Sequence, residues 1–250
     1  MPSPFAMNSY QGKQILALVR DGDFAHAGEK EAIARAMAPV AQHRSQHILD
    51  AGCGRGGTAA YLQRHGWGVA TGIDIEPKSV AYARETYPDV AFVCCDIHDV
   101  AEHVPGKFDV ITMFNVLYAI AEQARALKAL ASRAEVKARL VLFDYVDRGG
   151  YQGSPLMDAG RPFLLNPLPE AEISRLLNEG GWRLTQADDL TQDYARWYEA
   201  LVAKIEAKRE GIKTLGGAEA YEHVLDRYSG LLSAIQEGRL GGVVAYGEKA

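Results

Sequence analysis

Acidic and glycine residues are concentrated in one stretch, ILDAGCGRGGTAAYL, which runs from Ile48 to Leu62. Asp50 ends an apolar run, and four of the next seven residues are glycines: Gly52, Gly54, Gly56 and Gly57. Because glycine has no side chain, its backbone can approach a ligand that other residues would keep away. A tight turn without a ligand needs only one or two glycines. The stretch therefore predicts a ligand-binding loop.

Two classes of ligand suit such a loop, and Asp50 distinguishes them. The glycine spacing is similar to the G-x-G-x-x-G pattern of dinucleotide-binding loops, which alone is a weak signal. The pyrophosphate of a dinucleotide is anionic, so a carboxylate two residues before the first glycine would repel it. S-adenosylmethionine instead carries an ammonium and a sulfonium, which Asp50 attracts. The loop thus favours S-adenosylmethionine, and a nicotinamide-dependent reductase is the weaker alternative.

The elements that position this loop alternate between strands and helices. Strands are predicted at HILDAG, GVATGIDI, VAFVCCDI, FDVITMFNVLYAI, ARLVLFDYV, RLTQADDLT and GGVVAYGEKA, with amphipathic helices between most of them. Such alternation is typical of a mostly parallel sheet covered on both faces. We predict an α/β, Rossmann-like fold with a seven-stranded sheet and an inserted helical cap.

Three segments do not follow the alternation and are predicted to form the cap. One is an N-terminal helical segment at 1–44. The other two are insertions near 148–170 and 192–238 in the main domain, and this domain spans 45–250. Ligands of open α/β sheets bind beyond the carboxyl ends of the strands. Since both insertions follow strands of the second half, we expect them to cover that edge.

Four stretches, in order and at fitting spacings, resemble the motifs of class I S-adenosylmethionine-dependent methyltransferases. They are LDAGCGRGG, GIDI, CCDI and FDVITMFNVLYAI, within roughly Ile48–Val146. The resemblance implies that Asp74 binds the ribose hydroxyls and Asp96 the adenine amino group, with Ile97 packed beside the ring. It implies cofactor contacts from Asp50, Gly52, Cys53, Gly54, Gly56, Asp74, Ile75, Asp96, Ile97 and Asn115.

The methyl acceptor is predicted to be a small molecule, and most favourably an amine. Methyltransferases of base amino groups carry N/D-P-P-Y/F after strand four, whereas this chain has FNVLYAI without a proline. The net charge of −5 disfavours nucleic acid as a partner. RDGDFAHAGEKEAI is similar to cofactor-covering loops of sarcosine–dimethylglycine and phosphoethanolamine N-methyltransferases.

Aromatic residues of the cap are candidates for the acceptor pocket, because aromatic faces stabilise a nitrogen that gains positive charge. Tyr194, Trp197 and Tyr198 share one helical face by their i, i+3, i+4 spacing. Simple core packing is the alternative for this stripe. The predicted pocket residues are Tyr118, Tyr151, Tyr194, Trp197 and Tyr198, and the candidate catalytic groups are His26, Asp144 and Tyr145.

The sequence leaves two other functions open and predicts the cellular location. An O-methyltransferase of a small carboxylic acid or hydroxyl compound has the same core motifs, and a non-catalytic S-adenosylmethionine-binding regulatory protein would bind without turnover. No pair of cysteines and histidines has zinc-ligand spacing, so no metal is expected. The N-terminus lacks a signal-peptide pattern, no apolar run is long enough to span a membrane, and three cysteines form no disulfide framework. A cytoplasmic monomer or homodimer is expected.

Overall fold

The structure is a computed structural model that describes residues 7, 9–158 and 160–250. Its strands are β1 (His47–Ala51), β2 (Val69–Asp74), β3 (Ala91–Cys94), β4 (Phe108–Phe114), β5 (Ala134–Asp147), β6 (Met157–Asp158), β7 (Arg161–Pro162), β8 (Leu168–Pro169), β9 (Trp182–Asp189) and β10 (Leu240–Lys249). Its α-helices are α1 (Tyr10–Val19), α2 (Glu29–Met37), α3 (Gly57–Arg64), α4 (Pro77–Thr86), α5 (Val100–His103), α6 (Gln123–Ser132), α7 (Ile173–Glu179), α8 (Thr191–Ala207) and α9 (Arg209–Gln236).

The main sheet has the strand order β3-β2-β1-β4-β5-β10-β9. The first five strands are parallel to one another, whereas β10 is antiparallel to both of its neighbours. The predicted α/β fold with a mostly parallel, seven-stranded sheet is confirmed. The structure adds β8, which pairs with the end of β5, and a separate β6–β7 hairpin. Two-residue strands have no periodicity, so the sequence could not indicate them.

Strand β5 lies inside the sheet, between β4 and β10, and contributes to the core on both faces. Every residue from Leu140 to Val146 is buried, as expected for a central strand with helices on both sides. Val141 and Phe143 pack into one apolar cluster, and Leu140 and Leu142 pack into another. The two clusters bury opposite faces of the sheet.

The helices α8 and α9 occupy the segment that was predicted as the 192–238 insertion. They pack with α1 and α2 in the apolar cluster that holds Phe143. Gly217 interrupts α9 with a non-helical backbone. Helices α1 and α2 lie in the predicted N-terminal segment, of which residues 1–6 and 8 are outside the described residues. No described helix is long and apolar enough to cross a membrane.

The fourth predicted strand runs into a loop within its apolar pattern. The run FDVITMFNVLYAI is a strand only as far as Phe114, because Asn115 adopts a left-handed backbone with φ 53° and turns the chain. A short 3₁₀ turn, Leu117–Ala119, follows it. The turn places Asn115 and Tyr118 at the carboxyl edge of the sheet, beside the glycine loop.

Candidate active site

The four glycines of the loop between β1 and α3 have different reasons for lacking a side chain. A Cβ atom at Gly52 would lie 2.4 Å from Val116, one at Gly56 would lie 2.7 Å from Phe92, and one at Gly57 would lie 2.5 Å from the carbonyl oxygen of residue 23. Gly54 is the exception, since the nearest heavy atom would be 3.7 Å away. Packing within the protein explains the other three, whereas Gly54 has a left-handed backbone with φ 54° and lines the cavity, where a ligand can approach it closely.

A cavity of about 610 Å³ opens above this loop, beyond the carboxyl ends of β1, β2 and β4. Seven of the ten predicted cofactor residues line it, namely Gly52, Gly54, Asp74, Ile75, Asp96, Ile97 and Asn115. Asp50, Cys53 and Gly56 are not among the lining residues. All three residues are buried, and cofactor contacts from them stay a prediction.

Asp74 is held at the floor of the cavity by contacts to both carboxylate oxygens. Its Oδ2 accepts a hydrogen bond from the backbone N–H of Gly54 at 2.8 Å, and its Oδ1 accepts one from Glu76 at 2.9 Å. Lys13 of α1 adds an ion pair at 3.0 Å to Oδ1. These three contacts fix the orientation of the carboxylate in the cavity wall.

The next part of the cavity has the properties of a binding site for a flat heterocycle. Ile75 is an apolar residue with 66% of its surface exposed, and Ile97 lines the cavity with it. Asp96 directs one carboxylate oxygen to His98, whose backbone and Nδ1 nitrogens are both 2.8 Å from Oδ1. The side chain of Asp96 remains 40% exposed, so its second oxygen is available to an amino group.

Asn115 has an unsatisfied acceptor at the cavity. Its Nδ2 donates to the hydroxyl of Tyr194 at 3.2 Å, whereas its Oδ1 is buried and has no hydrogen-bond partner among the described residues. A buried acceptor without a partner costs about 1–3 kcal/mol, which a donor on a ligand would recover. The ammonium group of S-adenosylmethionine is such a donor. Together with Asp74 and Asp96, these residues fit this cofactor.

Asp50 lies beneath the loop with one oxygen bonded to the hydroxyl of Thr112 at 2.9 Å. The other oxygen is buried without a partner in the described chain. Burial raises the pKa of Asp50 to about 7, and the charge of Asp74 acts in the same direction. Any attraction of Asp50 for a cationic ligand is therefore exerted from behind the loop and not by direct contact.

Aromatic side chains form the opposite part of the cavity wall. Tyr118 and Tyr145 line it with perpendicular rings, 5.1 Å apart between centroids. Phe163 and Tyr228 complete this wall, also with perpendicular rings at 6.1 Å. We call these four residues the aromatic wall. Sequence reasoning assigned Tyr118 to the pocket and Tyr145 to catalysis, but gave no site role to Phe163.

The other predicted pocket aromatics lie behind the aromatic wall and do not line the cavity. Tyr194, Trp197 and Tyr198 of α8 are at most 5% exposed, and Tyr198 shares a hydrogen bond with the hydroxyl of Tyr145. Tyr151 is fully buried, and its hydroxyl accepts from the backbone N–H of Leu164 at 3.3 Å. Core packing, the alternative kept open from the sequence for the stripe of Tyr194, Trp197 and Tyr198, describes these three residues, since helical spacing alone cannot separate a core face from a pocket face. Tyr151 is buried in the same way.

Asp144 accepts hydrogen bonds from the backbone of the site and does not face the cavity. Its Oδ2 accepts hydrogen bonds from the N–H groups of Val116, Leu117 and Tyr118 at 3.2, 2.7 and 3.2 Å, and its Oδ1 accepts from Tyr145 at 2.8 Å. Burial raises its pKa to about 7, against these four donors. Asp144 does not line the cavity. It is a positioning residue, and its prediction as a catalytic group is not supported.

His26 is likewise separated from the cavity. It is 1% exposed, its Nε2 is 3.2 Å from the hydroxyl of Thr58, and its ring is 4.8 Å from that of Phe114. Burial lowers its pKa to about 3, so the imidazole is neutral at ordinary pH. Because His26 is not a lining residue, it cannot take a proton directly from an acceptor in the cavity. The structure therefore shows no direct contact between His26 and the cavity, and its role as a base stays a prediction.

A set of charged and tyrosine side chains attaches the N-terminal segment to the glycine loop, and it was not predicted from the sequence. Asp23 accepts from Nε of Arg55 at 2.7 Å and from the hydroxyls of Tyr82 and Tyr87 at 3.2 and 2.7 Å. The guanidinium of Arg55 also stacks 3.5 Å above the ring of Tyr82. We call this group the Asp23 clasp. Its members are far apart in sequence, so no local pattern indicates it.

Two cations of α1 and its C-terminus, Lys13 and Arg20, were also missed. Both line the cavity, and with Leu16 they follow an i, i+3, i+7 spacing that places them on one helical face. That periodicity was a usable signal in the sequence. Among the described residues, no group of three or more histidine, cysteine or acidic side chains is arranged to hold a metal ion.

Comparisons with known proteins agree with this site. Residues 48–136 match the family model described as "Methyltransferase domain". The ubiquinone biosynthesis O-methyltransferase of Neisseria meningitidis serogroup C is 25% identical over 164 residues, which cover 59% of this chain and 68% of that protein. The chain contains a class I S-adenosylmethionine-dependent methyltransferase domain. Methyl transfer is its activity, and S-adenosylmethionine is its cofactor.

Solved structures of enzymes with different names have the same fold as this chain. Phosphoethanolamine N-methyltransferase 2 of Haemonchus contortus, in complex with S-adenosyl-L-methionine, has a TM-score of 0.81 and 15% identity, and the match covers 97% of this chain and 58% of that chain. The cyclopropane synthase MmaA2 of Mycobacterium tuberculosis has a TM-score of 0.79 and 13% identity, covering 97% and 95%. These similarities support the fold. They do not identify the methyl acceptor, because one fold can act on many substrates.

Proposed function

We propose that this protein transfers the methyl group of S-adenosylmethionine to the nitrogen of a small-molecule amine by in-line displacement. The observation that carries the proposal is the aromatic wall of Tyr118, Tyr145, Phe163 and Tyr228 at the cavity. A nitrogen that is methylated gains positive charge, and the faces of these rings attract such a cation. The wall also excludes water from the place where the acceptor would lie.

The chemistry of the wall suits an amine better than a phenol. A phenolic acceptor has to lose a proton with a pKa near 10, which requires a base or a metal. Burial raises the pKa of both Tyr118 and Tyr145, so these hydroxyls stay protonated and do not act as bases. An amine also has to lose an ammonium proton with a similar pKa, but its nitrogen then gains positive charge during methylation, whereas a phenolate becomes a neutral ether. The ring faces therefore favour methylation of the amine.

The residues at the other end of the cavity would hold the cofactor during this reaction. When bound, S-adenosylmethionine supplies an electrophilic methyl group on a sulfonium. Asp74 would bind the ribose hydroxyls, Asp96 the adenine amino group, and Asn115 the ammonium. Asp144 fixes the backbone of residues 116–118 between the two ends, so that Tyr118 keeps its position. Proximity and alignment of this kind account for much of the rate in such displacements.

O-methylation of a hydroxyl compound is the second candidate function. It is favoured by one observation, namely that the curated relative at 25% identity is named a ubiquinone biosynthesis O-methyltransferase. His26 and Asp144 do not line the cavity, so in an O-methyltransferase of this chain the proton of the acceptor would pass to another lining group or to water.

The test is methyl transfer from labelled S-adenosylmethionine to matched acceptors. Amines, phenols and carboxylic acids of similar size are compared, and release of S-adenosylhomocysteine is followed in parallel. Turnover on amines, with a rate that rises with pH as the acceptor amine loses its proton, supports the proposal. Turnover confined to phenols or acids would replace it with the O-methyl alternative.

A further inference from the structure

Tyr194 of α8 lies behind the cavity and contacts one of the residues that line it. The side chain of Tyr194 is fully buried. Its hydroxyl accepts a hydrogen bond from Nδ2 of Asn115 at 3.2 Å. Asn115 lines the cavity, whereas Tyr194 does not. Any influence of Tyr194 on a bound ligand is therefore exerted through the amide of Asn115 and not by direct contact.

The ring of Tyr194 has a fixed position, because a glycine of β10 makes room for it. A Cβ atom at Gly242 would lie 2.1 Å from Cδ2 of this ring. Gly242 is inside a strand, paired with Tyr145 of β5, and glycine in such a place commonly marks the close approach of another group. The ring of Phe143 packs against Tyr194 at 5.3 Å between centroids. The Tyr194 hydroxyl thus has little freedom to move away from Asn115.

The backbone of Asn115 is fixed as well. Its N–H donates to the carbonyl oxygen of Phe143 at 2.8 Å, and the next three N–H groups of the chain donate to Asp144. The left-handed φ of 53° is one that asparagine adopts more readily than most residues. The rotation of the side-chain amide is what remains to be set. An amide has an acceptor at one end and donors at the other, so its two rotations present opposite groups to the cavity.

The hydrogen bond to Tyr194 corresponds to one of these two rotations. With Nδ2 on the hydroxyl, Oδ1 of Asn115 is the buried atom without a partner among the described residues. A free acceptor suits the ammonium group of S-adenosylmethionine. If the amide were turned by 180°, its NH₂ group would meet the ammonium, and two donors would face each other.

We propose that Tyr194 is a positioning residue for the cofactor: its hydroxyl holds the amide of Asn115 with Oδ1 turned toward the ammonium of S-adenosylmethionine. The inference goes beyond the proposed function, because it concerns the cofactor and applies to any methyl acceptor. Tyr198, one helical turn later on the same face of α8, is instead bonded to the hydroxyl of Tyr145 in the aromatic wall. The two hydroxyls of this helix therefore support different parts of the cavity.

The experiment measures the binding of two ligands that differ only in the ammonium. They are S-adenosylhomocysteine and its analogue with hydrogen in place of the α-amino group, and calorimetry measures their affinities without an acceptor. Tyr194→Phe is compared with wild type, since it keeps the ring and removes one oxygen atom. Tyr198→Phe is the matched control, because it removes a buried hydroxyl from the same helix and leaves the contact to Asn115 intact.

Tyr194→Phe is expected to bind S-adenosylhomocysteine about 10-fold more weakly than wild type, the scale of one hydrogen bond. Its affinity for the analogue should stay within about 2-fold of the wild-type value, and Tyr198→Phe should bind both ligands as wild type does. Unchanged affinity of Tyr194→Phe for S-adenosylhomocysteine overturns the proposal. An equal loss for both ligands overturns it too, because it indicates a general disturbance of the site.

A second pair of variants tests the route through Asn115. A carboxylate has acceptors at both ends, so in an Asn115→Asp background neither rotation presents a donor to the ammonium. Adding Tyr194→Phe to that background should change S-adenosylhomocysteine affinity little, whereas an equal loss in both backgrounds would indicate a structural role and overturn the proposal. Thermal unfolding without ligand checks each chain. Loss of the folded state in Tyr194→Phe would show that the hydroxyl serves stability, and it would also overturn the proposal.

Discussion

Among single residues, Asp74 makes the clearest prediction for cofactor binding. Its carboxylate is fixed by the backbone of Gly54 and Glu76 and faces the cavity. Replacing it with alanine is expected to weaken S-adenosylmethionine affinity by about 1–3 kcal/mol, the scale of a lost hydrogen bond to a charged group. Titration calorimetry of Asp74→Ala measures the loss, with the exposed Asp89→Ala as a control. Unchanged affinity would remove Asp74 from the ribose site.

Tyr145 makes a second prediction at this scale, for the acceptor. Its hydroxyl is hydrogen bonded to that of Tyr198, and this bond holds the ring at the cavity. Tyr145→Phe removes the bond, so we expect kcat/KM for the acceptor to fall about 10-fold, or ~1.4 kcal/mol, with cofactor affinity nearly constant. Tyr246→Phe is the matched control, because it removes another buried hydroxyl that donates to the carbonyl oxygen of Ala36. Equal kinetics in the two variants would contradict the role of Tyr145.

At the scale of elements, the connection between α1 and α2 is held against the glycine loop by the Asp23 clasp. Asp23→Asn weakens the ion pair with Arg55, which is buried and therefore little screened by solvent. We expect faster amide hydrogen exchange over residues 10–28 and weaker binding of S-adenosylhomocysteine. Mass spectrometry of exchange provides the measurement.

Asp21→Asn is the control for the clasp, because Asp21 lies two residues away and its ion pair with Lys208 is exposed. That substitution should change neither exchange near the loop nor ligand affinity. If Asp23→Asn behaves like Asp21→Asn, the clasp does not stabilise the connection, and its contacts would be incidental to cofactor binding.

At the scale of the whole molecule, Asp50 makes stability depend on pH. Its pKa is raised to about 7 in the folded state, so the folded chain keeps a proton that the unfolded chain releases above pH 3.8. Stability from this group is greatest below that value and is lost as pH rises through 7. Between pH 5 and 8 the loss is about 3 kcal/mol, at ~1.4 kcal/mol per pKa unit.

Urea unfolding of wild type and Asp50→Asn at pH 5 and pH 8 tests this effect. Asparagine cannot ionise, so the free energy of unfolding of the variant should increase relative to that of wild type as pH rises. Asp89→Asn, at an exposed position, should follow wild type at both values. Parallel behaviour of Asp50→Asn and wild type would mean that Asp50 is ionised throughout this range.

The fold was predictable from sequence because its signals are local. Each strand of the main ladder has an apolar run and each loop motif is continuous, which led to Gly54, Asp74, Asp96 and Asn115. The proposed acceptor end was predictable only in part. Tyr118 and Tyr145 follow strands that the sequence indicates, whereas Phe163 follows β7 and Tyr228 lies in α9, far along the chain. Helical spacing placed Tyr194 and Trp197 on one face correctly, but which face meets the cavity is decided by packing against the sheet.

The position of α1 has a consequence for the order of events in turnover. Lys13 and Asp23 connect the N-terminal segment to Asp74 and Arg55, on two sides of the glycine loop. We expect a bound cofactor to leave only when these ion pairs open, so that release of S-adenosylhomocysteine, and not methyl transfer, limits the rate. Rapid mixing should then show a burst of one methylated molecule per enzyme, followed by a slower steady phase. A linear time course from the first turnover would show that the segment opens faster than the chemistry.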